Sequence, residues 1–155
     1  MKRRPLDLRS CQEVVAEIES IASTPYQQLG KWNLTQACQH LTATMKGGME
    51  GFGFRFPWIL RVTVAKWGFD YGLKKRKMFA GMPTIRPLKP TAPGDEDNQE
   101  IIQQCIETCQ AVAVFRGEIK DYPLLNHVET DDWRDFMWVH ASHHLGFLVP
   151  DAKNG

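Results

Sequence analysis

The chain has 155 residues, 43% hydrophobic and 24% charged, with a formal net charge of +1. That length predicts a single domain over residues 1–155, able to bury about 68–70% of its unfolded surface without staples. The balanced charge gives no case for nucleic acid or an acidic polymer as partner.

The N-terminus, MKRRPLDLRS, has a basic start but no apolar stretch behind it, which predicts no export and, by default, a cytoplasmic protein. Cys11, Cys38, Cys105 and Cys109 fall on three helical patterns without a CxxC pair, so they are expected as small buried thiols.

Ser10 and Glu13 have capping-box form, and Val14, Val15, Ile18 and Ile21 carry a first helix over about 11–23, stopped by Pro25. Asn33 with Gln36 repeats the arrangement and starts a second helix at Leu34. Its apolar stripe is Leu34, Ala37, Cys38, Leu41 and Met45, with His40 at the edge and able to reach the core. The helix is expected to fray near Gly47 and Gly48. Pro57 then opens another helix through Trp58 to Phe69, with Arg61 and Lys66 facing outward. Those two charges also interrupt the longest apolar run, which falls short of the ~20 residues of a membrane span. No membrane partner is expected.

From Tyr71 to Gly94 the prolines and glycines predict a long loop, a candidate wall for a pocket. Lys74, Lys75, Arg76 and Lys77 read as a solvated helix end, where cations suit the dipole. Acidic residues 95–97 and Glu100 then introduce a long helix from about 96 to 117. Thr130, followed by Asp131 and Asp132, reads as the N-cap of a last helix, with Pro150 just past its end. No segment shows a convincing alternating strand. The pattern is all-α, four main helices and a shorter one, as in a helix bundle.

The last helix carries WRDFMWVHASHHLGFL, where Trp133, Phe136, Met137, His140, His144 and Phe147 recur at helical spacing. His140 and His144, four apart, therefore share the inward face. Buried polar groups without partners cost roughly 1–3 kcal/mol each. A divalent metal satisfies two imidazoles at once, and this spacing is used by helix-borne zinc pairs. His40 supplies a third neutral nitrogen from a facing helix. Three protein ligands with an open fourth position suit a catalytic metal, which lowers the pKa of water toward ~7 and ionises a bound thiol. Three imidazoles suit Zn, Ni, Fe and Cu alike.

KWNLTQACQHL, with Trp32 eight residues before His40, and WVHASHHLGFL resemble the two signature segments of the DinB/YfiT-like superfamily. Pro123, Trp133, His140, His143 and His144 match a branch of uncharacterised bacterial proteins within it, although Tyr122 stands where a histidine is common. The resemblance implies an up-down-down-up four-helix bundle with an extra short helix and a long loop. It also implies a divalent metal, Zn or Ni first and Fe or Mn after, on His40, His140 and His144, leaving His143 as a neighbouring acid or base.

The superfamily includes thiol transferases, so the leading expectation is a metal-dependent enzyme that activates a low-molecular-weight thiol against a small-molecule substrate. Hydrolysis by metal-activated water is the alternative, with His143 and His127 as the bases on offer. A non-catalytic metal-binding or structural bundle is another. An oligomerisation module, in its simplest form a homodimer, rests on the five tryptophans and the Trp58 to Phe69 face.

Overall fold

The N-terminal helix α1 (Cys11–Ala22) starts as its cap predicts: the Ser10 hydroxyl accepts the Glu13 amide at 3.2 Å. The Glu13 carboxylate accepts from the Arg9 amide instead of returning to Ser10. Val14, Ile18 and Ile21 are wholly buried. The computed structural model describes residues 3–151. The basic start at Met1 and Lys2, and residues 152–155 of the expected domain, lie outside the described residues.

Helix α2 (Leu34–Glu50) has a complete capping box, Asn33 Oδ1 accepting from the Gln36 amide at 2.9 Å and Gln36 Oε1 from the Asn33 amide at 3.2 Å. It does not fray at Gly47 and Gly48, and ends at Gly51, where φ is +103°. The reason is tertiary: a Cβ on Gly47 would collide with the Phe52 ring and one on Gly48 with the Trp133 indole. The two glycines therefore let large rings close on the helix, which outweighs their ~1 kcal/mol propensity cost.

The apolar segment after Pro57 divides into α3 (Trp58–Val62) and α4 (Val64–Lys75), separated by Thr63 at φ −120°, ψ −101°. A single helix to Phe69 with a loop from Tyr71 is thus corrected on both counts. Phe69 and Gly72 anchor α4, Phe69 stacking on Phe136 at 4.4 Å with Gly72 beside the same ring. Arg76 terminates α4 at φ +50°, its guanidinium fastened to Asp7 and Asp135. Lys74 and Lys75 do occupy the end of the helix.

Helix α5 (Gln99–Val114) is shorter than expected, because Asn98 caps it. Asp97 serves another helix: its Oδ1 accepts from the Thr35 amide and hydroxyl at 3.2 and 3.1 Å in the first turn of α2. Helix α6 (Thr130–Leu145) begins at Thr130 itself, the residue expected as its cap; Glu129 precedes it without a side-chain bond, and the Thr130 hydroxyl donates to the Gly117 carbonyl at 2.7 Å.

The fold is mostly helical with one short sheet. Strand β1 (Tyr26–Gln28) pairs antiparallel with β2 (Leu148–Pro150), Gln28 opposite Leu148. Three residues each are too few to display alternation, so no strand was legible. Pro150 lies in β2, and the ladder ties the approach to α2 to the exit from α6. In the core, α2 packs along α5 and α6, while α6 also meets α1 and α4. All four cysteines are buried free thiols, as expected. Among the described residues no helix is long and apolar enough to cross a membrane.

Candidate metal centre

Helix α2 carries His40 and helix α6 carries His140 and His144. The fold brings the three together, one ring nitrogen of each lying within 4.8 Å of the others. His140 Nε2 is the hub, 3.1 Å from His40 Nε2 and 2.9 Å from His144 Nε2. His40 and His140 are only 5% and 7% exposed. Trp32 stacks on His144 at 5.2 Å and tilts against His40 at 5.0 Å, so its indole forms one wall of the cluster.

The groups behind the rings assign their protons. His40 Nδ1 lies 2.7 Å from the Leu88 carbonyl, which can only accept, so Nδ1 carries the hydrogen and Nε2 a lone pair. The Thr44 hydroxyl donates to the Leu41 carbonyl at 2.9 Å, which leaves its oxygen to accept from His140 Nδ1 at 3.4 Å. His140 Nε2 is then also a lone pair. Two lone pairs thus face each other across 3.1 Å with no hydrogen between them. A cation held between the rings resolves this arrangement.

Burial first, and for His140 and His144 the neighbouring imidazoles after it, push all three rings below the ordinary histidine range, which keeps them neutral as ligands must be. The donor set therefore fits a divalent metal that accepts nitrogen ligands. Among the described residues the cluster contains histidines alone, without a carboxylate.

His143 stands outside the cluster. Its Nδ1 meets the Arg3 guanidinium, and burial, then the charges of Arg3 and His40, bring its pKa down to about 4. His127 is an exposed residue hydrogen-bonded to Glu129 at 2.7 Å. Tyr122 is core, edge-on to Phe52 and Phe69 at 5.7 and 6.1 Å.

The long loop packs against α2 beside the cluster through contacts that residue types did not signal. Its 3₁₀ turn (Arg86–Leu88) presents the Leu88 carbonyl to His40, and Gln39 holds the Thr91 and Ala92 amides at 2.8 and 2.9 Å. Thr44 was also missed; its position one turn after His40 was the available signal.

A family model described as "Protein of unknown function (DUF1569)" matches residues 1–151. No curated protein and no solved structure matches the chain.

Proposed function

We propose that this chain, which belongs to that family of proteins of unknown function, is a metal-dependent enzyme whose His40, His140 and His144 hold a divalent cation. The observation that carries the reading is the pair of converging Nε2 lone pairs at 3.1 Å, each fixed by an acceptor behind its ring. We place the fold with the DinB/YfiT-like bundles, supported by Trp32 ahead of His40 and by the Trp133 to Leu148 segment. Zn or Ni suits three imidazoles best, with Fe or Mn after them.

Thiol transfer is the chemistry we assign. When bound, the metal supplies Lewis acidity that ionises a small thiol. Thr44 and the Leu88 carbonyl orient the ligands, and Trp32 shields them from water on one side. A thiol, with an ordinary pKa of about 8.5, ionises without a protein base. Water asks for more help, and among the described residues the cluster has no carboxylate, while His143 Nδ1 is engaged by Arg3. These features favour the transferase over the hydrolase.

The test is metal analysis of the purified protein and of His40→Ala, followed by conjugation of a low-molecular-weight thiol to an electrophilic dye. The expected result is one metal per chain and metal-dependent conjugation, both lost in the variant. Stoichiometric metal in His40→Ala would overturn the assignment.

A further inference from the structure

A cavity of about 350 Å³ lies between the N-terminal segment, the end of α4 and the face of α6 that carries Val139, Ser142 and His143. That volume falls in the ~300–1,000 Å³ range of small-molecule sites. Its walls carry five cations, Arg3, Arg4, Lys75, Arg76 and Lys77, against one carboxylate, Asp7.

Two of the five are neutralised. Arg4 pairs with Glu17, and Arg76 with Asp7 and Asp135. Among the described residues Arg3, Lys75 and Lys77 have no carboxylate within ion-pair distance; Arg3 donates to the Met78 carbonyl at 2.8 Å and to His143 Nδ1, both uncharged. Burial lowers the Arg3 pKa from its ordinary value, and the guanidinium keeps its charge. An uncompensated, partly desolvated guanidinium is costly unless a ligand supplies the missing charge. His143 joins this wall to the cluster, its ring 4.9 Å from that of His144.

We propose that this cavity is an anion subsite, in which Arg3, Lys75 and Lys77 bind the carboxylate or phosphate end of a small organic substrate whose reacting end lies at the histidine cluster. Leu6, Met78 and Val139 offer apolar wall to the carbon skeleton between the two ends. The second half of the inference rests on the metal-enzyme reading; the anion site stands on the cavity itself.

Inorganic phosphate, titrated at fixed ionic strength and followed by the NMR signal of the Arg3 Nε–H, is the first probe. A saturable shift is expected, with affinity at least tenfold weaker in Lys75→Gln/Lys77→Gln, whose exposed side chains leave folding intact. His40→Ala is expected to bind phosphate within twofold of the parent chain while losing metal. A shift that never saturates, or a double variant equal to the parent, overturns the anion site. Retention of metal by His40→Ala with phosphate binding intact overturns the metal reading alone.

The link between the halves is read with Co(II)-loaded protein and two thiols, 3-mercaptopropionate and 1-propanethiol, each followed by the thiolate-to-cobalt absorption band. The acid is expected to half-saturate at least tenfold lower, an advantage erased in Lys75→Gln/Lys77→Gln. Equal half-saturation by the two thiols overturns the link. Acetate in place of phosphate separates the sources of the charge: competition by acetate assigns a carboxylate, and competition by phosphate alone assigns a phosphate ester.

Discussion

Helix α2 has two buried seams of opposite character. Toward α5 it presents Cys38 to Cys105, which lies in hydrogen-bonding reach of both Cys38 and Cys109, with the Cys109 thiol 3.8 Å from the Met45 sulfur. Toward α6 it presents His40 and Thr44 to His140 and His144. Both seams are buried and rich in metal-binding residue types. The thiols satisfy one another, since each is a weak donor and a weak acceptor, and the bonds with Cys105 together with burial push Cys38 and Cys109 up and keep them protonated. The imidazoles cannot do the same, because Leu88 and Thr44 have committed two of their protons elsewhere. The two seams differ in where their hydrogens point: His40 Nδ1 gives its hydrogen to the Leu88 carbonyl and turns Nε2 toward the other rings.

The largest effect expected from this contrast is on the histidine side. Metal at a thousandfold over its Kd adds ~4 kcal/mol of stability, and His140→Ala is expected to lose all of it. Thermal melts with metal and with chelator would show this as two curves for the parent protein and one for the variant.

Acidification of the metal-free protein separates the seams next. The folded-state pKa values of His40, His140, His143 and His144 are depressed, so between the ordinary value of 6.5 and about 4, where His143 titrates, the unfolded chain binds more protons. Stability is fully present above pH 6.5 and is lost as the pH falls through that window, by up to ~1.4 kcal/mol per pH unit for each buried histidine. The raised Cys38 and Cys109 thiols stay protonated throughout that window. Urea unfolding at stepped pH measures it, and a flat profile from pH 7 to 4 would remove the distinction.

Thr44→Val sharpens the comparison from behind the ligands. Without its acceptor, His140 Nδ1–H is unpartnered and the ring loses its fixed orientation, so metal affinity is expected to fall ~10–100-fold while saturating metal still binds one per chain. Competition with a chromophoric chelator reads the change. The smallest effect belongs to the other seam: Cys109→Ala deletes one buried heavy atom, costs ~0.5–1.5 kcal/mol by analogy with Ile→Val, and leaves metal content unchanged. A Cys109→Ala protein that lost its metal would show that the seams are one site.

Much of this was legible from residues alone. The Asn33 and Gln36 box and the stripe behind it start α2 at Leu34 and bring His40 to the core, and i, i+4 spacing aims His140 and His144 together. What stayed hidden was set by distant partners. Gly47 and Gly48 read as helix breakers because the rings that need them, Phe52 and Trp133, lie elsewhere. Asp97 reads as part of the helix that follows it, yet it caps α2 across the fold. The Leu88 contribution is a backbone carbonyl, which carries no side-chain signature. The break at Thr63 leaves Trp58, Ile59, Val64 and Trp67 exposed, against the usual reading of such residues as core.

The central claim is that three imidazole nitrogens from α2 and α6 hold one metal. X-ray absorption at the metal edge, on protein dialysed against a weak chelator, tests it most directly. The predicted result for zinc is one ion per chain with three nitrogen ligands at about 2.0–2.1 Å, absent in His140→Ala. Sulfur in the first shell, or protein that emerges from dialysis without metal, would contradict it.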